Sequence, residues 1–304
     1  MIFNIMKSWA LIYYYRIKIC LYQFLFYFPK YIEKANSRII NNEWFERIKD
    51  IIDCPEFKKI EKSKDAGKII NGKIIMFNNV KIFPISYYRY NYFSLLMQTN
   101  GIHEPQEELL FSKICEILPE SSLMIELGSY WAFYSLSFYK SIKNAKNFMI
   151  EPELSSLEMG KYNFRINNAK GTFYNAFIDE KSSFKNNKRT ICIDDFVKQF
   201  KISHITILHS DIQGFEYAML KGAETAFDEK IIDFVFISTH SNELHNDCLK
   251  FLQKKSYTIC LSINLNETFS IDGLIFAHNS YIKIPEEVTA LINSISKKPN
   301  IQLV

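Results

Sequence analysis

Glu126, Glu151, Asp211, Glu216 and His240 are the side chains of this sequence whose types and spacing suit a ribose-bearing ligand and a proton transfer. Glu151 follows Glu126 by twenty-five residues, each at the end of a short apolar run. An acid at that distance from a first strand end is placed to accept hydrogen bonds from ribose hydroxyls. His240 is the first candidate for a general base, because imidazole titrates near neutral pH. Asp211 is the second candidate, or the group that orients the base or the acceptor. Glu216 opens the next helix and is equally suited to capping it.

Between the first two acids lies "IELGSYWAFYSL", an apolar strand that ends in an acid and turns through Gly128 into an aromatic helix. Tyr130 and Ala132 occupy the places of the second and third glycines of a dinucleotide loop. The second glycine is what admits a pyrophosphate, so NAD and FAD are disfavoured. S-adenosylmethionine has a ribose but no pyrophosphate, and its sulfonium is attracted by aromatic faces such as Tyr130 and Trp131. Phe133 reads as core.

The elements that must hold these residues alternate. Strands are predicted at 122–127, 146–151, 171–176, 205–211, 231–239, 256–263 and 273–278, with helices at 131–141, 153–168, 214–227 and 242–255. This alternation predicts an α/β fold with a doubly wound, mostly parallel seven-stranded sheet, its last two strands forming an antiparallel edge hairpin. In such sheets ligands bind beyond the carboxyl ends of the strands. Residues 1–100 read as an extension of helices and a small hairpin, the latter from the Asn71-Gly72 turn in "KIINGKIIMF". Residues 101–304 read as the catalytic domain, with a C-terminal helix and tail. Its first helix follows "HEPQEELLF", with Pro105 in the first turn.

Composition excludes several classes. A hydrophobic fraction of 48% rules out general disorder. The six cysteines are scattered without a C-x-x-C pair, which argues against a disulfide framework or zinc site and for a reducing, cytoplasmic compartment. Residues 1–64 carry twelve basic and seven acidic side chains, a net of +5, leaving −1 on the rest. The main body is therefore no nucleic-acid surface by charge. "HSNELH" spaces His240 and His245 five apart, unlike a helical zinc pair, so no metal ligands are assigned. His209 reads as a satisfied core histidine. Residues 1–30 hold four basic residues, no acid and many aromatics, and their longest uncharged run is too short to span a bilayer. No secretory cleavage site is expected. An interfacial helix on a membrane and a helix packed on the main domain are both open readings.

"IELGSYWAFYSL", "MIEPE", "TICIDDF", "LHSDIQGFEYAMLKGAE" and "VFISTH" together resemble the FkbM-type methyltransferases over roughly His103 to Ala277. Glu126, Gly128, Glu151, Pro152, Asp194, Asp195, Asp211, Gly214, Glu216, Gly222 and Ala223 fall on the family's motif positions. The departures are Glu126 for Asp, Tyr130 for Asn and Ala132 for Gly. The resemblance implies a class I (Rossmann-like) methyltransferase using S-adenosylmethionine, commonly on oxygen of sugars or other natural products. The expected cofactor-binding set is Glu126, Gly128, Ser129, Tyr130, Trp131, Glu151, Pro152 and Asp179. The expected catalytic set is His240, Asp211 and Glu216. The acceptor is expected to be a small molecule or glycan, a carbohydrate hydroxyl above all, with no nucleic-acid partner and with membrane contact through residues 1–30. A non-catalytic binding module and a metal-dependent hydrolase are the alternatives. The oligomeric state is not legible.

Overall fold

The computed structural model describes residues 10–19, 21, 42–88 and 93–299. Its main sheet has seven strands: β1 (Leu123–Leu127), β2 (Lys146–Ile150), β3 (Thr172–Tyr174), β4 (Ile205–Ser210), β5 (Ile232–Thr239), β6 (Tyr257–Ile263) and β7 (Gly273–Asn279). Their order is β6-β7-β5-β4-β1-β2-β3. β4 pairs in parallel with both β5 and β1, and β7 is antiparallel to both β5 and β6. The last two strands thus form the expected hairpin. Its returning strand β7 is inserted beside β5, and β6 becomes the edge.

β4 and β5 are buried along their whole length, as apolar strands covered on both faces must be. Alternate residues feed two cores. Met124, Phe234, Phe236 and Phe276 face one layer, with Phe111 and Phe138 from the helices α1 (Pro105–Glu116) and α2 (Phe133–Ser141). Ile125, Leu208, Val235 and Ile275 face the other, with Phe196, Met219, Phe227 and Leu252. The helices after α2 are α3 (Leu154–Ile166), α4 (Ile193–Phe200), α5 (Glu216–Lys221), α6 (Glu224–Asp228), α7 (Asn242–Lys254) and α8 (Glu286–Asn293).

One predicted helix is divided. The 214–227 segment breaks at Gly222 into α5 and α6, and glycine is required there because a Cβ would come within 2.6 Å of the Asp179 carbonyl oxygen. Two elements are additional to the sequence reading. One is α4. The other is a small sheet of Phe177–Ile178, Ser183–Lys185 and Lys188–Ile191, whose hairpin turn is Asn186-Asn187 at φ 50° and 60°. Asparagine tolerates the left-handed region well enough to serve there.

The N-terminal region contributes helices Asn42–Asp53 and Pro55–Lys59 and a three-stranded antiparallel meander. The meander's first turn is Asn71-Gly72, with φ 50° and 69°. Ile48, Ile51, Ile74 and Phe83 belong to the same apolar core as Phe111 and Phe236. Helical residues 10–19 dock through buried Ile19 and through Arg16, which donates to Glu158 at 2.9 Å. Leu11, Tyr13, Tyr14 and Ile17 remain exposed. The rest of the 1–30 segment, apart from residue 21, lies outside the described residues. Among the described residues no helix is long and apolar enough to cross a membrane.

Candidate active site

β1 and β4 are parallel neighbours from which the chain continues to opposite sides, β1 toward β2 and β4 toward β5, so the strand order reverses between them. Gly128 sits there at φ 70°, and a Cβ on it would fall 1.8 Å from the Asp211 carbonyl oxygen. Only glycine fits. The loop then places Tyr130 at φ 46° and Ala132 at φ 62°. Bulk has replaced glycine in the sequence while the left-handed backbone path of a glycine loop has been kept. Each such residue costs about 1–2 kcal/mol, so the loop needs outside support.

That support is visible. Gly128 and Ser129 N–H groups donate to the Ile150 carbonyl (2.9 and 3.1 Å), Ala132 N–H to Ser129 O (2.5 Å), and Tyr130 N–H to Glu151 Oε2 (2.9 Å). Asn163 of α3 donates to Trp131 O at 3.1 Å. Gly160, also of α3, leaves room: a Cβ there would lie 3.2 Å from that of Ala132.

Glu151 is the pivot of this end. Its Oε1 accepts the Glu153 N–H at 2.8 Å while its Oε2 holds Tyr130. Burial raises its pKa, against those two N–H groups. A carboxylate offers about four lone-pair sites, so two remain for ribose hydroxyls. Ser129 is buried with a hydroxyl that has no partner among the described residues. A glycine-type loop, a strand-end carboxylate with spare acceptors and an unpaired hydroxyl fit the ribose end of S-adenosylmethionine.

Three expected cofactor contacts are corrected. Trp131 is buried, stacked on Phe133 (centroids 5.3 Å apart) and close to His103 and Tyr87, so it packs the core. Glu126 is buried and accepts the Ser135 N–H of α2 at 3.2 Å. Burial pushes it up to about 7, against the pull of His209 and that N–H. Asp179 accepts the Glu180 N–H at 2.7 Å and lies against Gly222. No bond among the described residues ties it to Glu151 or the loop. Pro152 follows Glu151, where its carbonyl accepts from Asn175 at 2.9 Å.

A second cluster gathers at the ends of β4 and β5. His240 Nδ1 meets Glu216 Oε1 at 2.9 Å, and its Nε2 lies 3.3 Å from both Asp211 Oδ1 and Asp272 Oδ1. Glu216 is wholly buried and also accepts the Gly214 and Ile212 N–H groups (3.1 and 3.3 Å), which anchors the ring and the 211–216 turn together. Burial alone would depress His240, but Asp211, Glu216 and Asp272 outweigh it and push the imidazole up to about 10. That raised pKa weighs against the expected neutral base, and the carboxylates of Asp211 and Asp272 beside the ring are alternative proton acceptors. Burial, with Asp211 alongside, pushes Asp272 up to about 7, against the pull of His240.

Asp272 was not legible in the sequence, where "IDG" reads only as a turn before a strand. Because β7 runs antiparallel, the loop before it ends on the same side as the carboxyl ends of β4 and β5. Arg47 fixes that loop by donating to the Phe269 carbonyl (2.6 Å) and to that of His103, and Gln106 accepts the Phe269 N–H at 3.0 Å. Tyr88 completes the rim. Its N–H donates to the Tyr130 hydroxyl at 2.8 Å. Burial raises its phenol pKa, helped by the charges of Glu104, Asp211 and Asp272. His245 turns aside to Thr239 and Ser262, both at 2.8 Å. His209 is buried against Glu107 at 2.8 Å, a core pair. A separate cleft lined by Lys59, Ser63, Asn78 and Lys113 opens elsewhere.

Sheet order, glycine-type loop and strand-end acids define a class I S-adenosylmethionine-dependent methyltransferase. Residues 159–259 match the family model described as "Methyltransferase FkbM domain". The match runs from α3 into β6 and spans Asp211, Glu216 and His240. No curated protein matches. Among solved structures, the chain is similar to a precorrin-6y C5,15-methyltransferase from Geobacter metallireducens GS-15, at 12% identity over 57% of this chain and 88% of that one, with a TM-score of 0.40. It is similar to TrmK of M. capricolum in complex with S-adenosyl-homocysteine, at 14% identity over 59% and 73%, with a TM-score of 0.39. A SAM-dependent methyltransferase from Aquifex aeolicus shares 10% identity over 57% and 89%, with a TM-score of 0.37.

Proposed function

We propose that this methyltransferase acts on a hydroxyl of a carbohydrate or carbohydrate-linked acceptor, in surface-polysaccharide or natural-product biosynthesis. The observation that carries the reading is the convergence of Asp211, Asp272 and His240 at the carboxyl ends of the strands, two residues or fewer from the sheet. Vicinal hydroxyls are donors that a pair of carboxylates accepts well, and the rings of Tyr88 and Tyr130 at the rim suit the apolar face of a sugar.

S-adenosylmethionine, when bound, supplies an electrophilic methyl group on a sulfonium. A carboxylate of Asp272 or Asp211 would take the proton that the acceptor hydroxyl gives up on methylation. Glu216 holds the His240 ring in place beside the two carboxylates. Glu151 and the Gly128–Ala132 loop hold the cofactor, so positioning supplies much of the acceleration.

We also read residues 1–30 as a contact with a membrane face on the cytoplasmic side, supported by the exposed Tyr13, Tyr14 and Ile17. Co-sedimentation with anionic liposomes, comparing the full chain with one lacking the segment, tests it. Equal partitioning would leave only the packing role.

Mass spectrometry of candidate glycans incubated with the enzyme and S-adenosylmethionine tests the acceptor. A one-methyl mass gain on a sugar hydroxyl is expected. Methyl transfer confined to non-carbohydrate acceptors would contradict the reading.

A further inference from the structure

His240 Nε2, Asp211 Oδ1 and Asp272 Oδ1 all lie within 4.8 Å of one another, on three separate segments of chain. The two distances from the ring nitrogen are 3.3 Å each. Ligand atoms held about 2.0–2.2 Å from one ion stand roughly 3.0–3.5 Å apart in tetrahedral or octahedral geometry. The two sides that meet at the ring nitrogen have that length before any ion enters, and the third is within 4.8 Å. A single N–H on Nε2 cannot point squarely at two carboxylates, whereas one cation between them satisfies all three.

A second, independent feature is behind the ring. Glu216 is wholly buried and aimed at His240 Nδ1 (2.9 Å), and its other oxygen has no partner among the described residues. A carboxylate on the far nitrogen fixes the tautomer with its lone pair on Nε2, the arrangement that orients metal-ligating histidines. Gln213, whose amide lies 2.8 Å from Nε2, adds a neutral group that can turn its oxygen to the same point.

We propose that Asp211, His240 and Asp272 form a divalent-cation site, with Glu216 as the positioning residue behind the histidine. One nitrogen and two oxygens with open positions suit Mn2+ among the common divalent ions. The open positions take hydroxyl oxygens of the acceptor, and each aspartate keeps its second oxygen for the departing proton. This role in acceptor binding rests on the proposed carbohydrate activity; the ion site itself does not.

The test is a Mn2+ titration of the full chain, followed by the electron paramagnetic resonance of the free ion. One equivalent should bind. Electron spin-echo modulation of the bound ion should show a directly coordinated imidazole nitrogen, a readout that needs no variant. Asp272→Asn and His240→Gln should each weaken binding at least about tenfold, and Glu216→Gln by roughly 10–100-fold, while Glu116→Gln on the surface leaves it unchanged. S-adenosylhomocysteine affinity, measured on the same samples, checks that the variants are folded. No stoichiometric Mn2+, no nitrogen coupling, or binding indifferent to Asp272→Asn overturns the site. Mn2+ bound with these signatures but no methylated glycan would uphold the site and count against the acceptor. Glycan methylation without Mn2+ binding would do the reverse.

Discussion

At the proposed cofactor end, the Gly128–Ala132 loop and Glu151 sit on adjacent strands, joined by bonds from Gly128, Ser129 and Tyr130 across one strand pair. At the proposed acceptor end, Tyr88, Asp211, His240 and Asp272 come from a meander loop, two strand ends and the turn before β7. Arg47 ties that turn to the N-terminal helix. The first end is a local construction within one strand–helix–strand unit. The second depends on contacts between segments far apart in sequence, which cost loop-closure entropy before they return any stability. The cofactor loop should therefore survive perturbations that dismantle the acceptor cluster.

The widest separation between the two ends should come from Asp272→Asn. Losing the proton acceptor should slow methyl transfer by about 10²–10⁴-fold, with S-adenosylhomocysteine affinity near wild type. His240→Ala should cost about 10²-fold by loosening the Asp211 and Asp272 side chains that the ring holds. Normal turnover in Asp272→Asn beside a dead Asp211→Asn would hand the proton to Asp211 alone.

Acid should also strike the acceptor end first. His245, buried between Thr239 and Ser262, is pushed down to about 4, first by burial and then by Lys297, against the pull of Glu267. The unfolded chain binds a proton near pH 6.5 that the folded chain refuses until about pH 4. Stability is thus complete above about 6.5 and falls through that window, by about 3 kcal/mol in all. Between pH 7 and 4, where Glu126 and Asp272 titrate with the opposite sign, the denaturation midpoints of the wild type and of His245→Gln should differ by a one-proton slope. An unchanged slope would place the titration elsewhere.

Much of this was legible in the sequence, and the misses share a cause. The seven main strands, the Asn71-Gly72 turn, Gly128 and Glu151 all announce themselves by local pattern. The Asn186-Asn187 hairpin did not, because asparagine stood where glycine usually signals the turn. Asp272 did not, because its role depends on β7 running antiparallel and on Arg47 holding the preceding loop from over two hundred residues away. The upward pull on the His240 pKa was hidden for the same reason: the third carboxylate beside it is Asp272.

Arg47→Ala should sharpen the contrast further. It removes two buried hydrogen bonds from a cation and leaves two carbonyls unpaired, so we expect about 2–3 kcal/mol of lost stability by chemical denaturation. The acceptor KM should rise while S-adenosylhomocysteine affinity changes little. A variant that loses cofactor binding instead would show that the two ends are one cooperative unit.

The central claim is that Glu151 and the Gly128–Ala132 loop hold S-adenosylmethionine, and a calorimetric titration with S-adenosylhomocysteine tests it most directly. One equivalent should bind the wild-type chain, and Glu151→Ala should weaken binding by about 1–3 kcal/mol, the worth of a charge-assisted hydrogen bond. A wild-type chain that binds none, or a Glu151→Ala chain that binds as tightly, would contradict it.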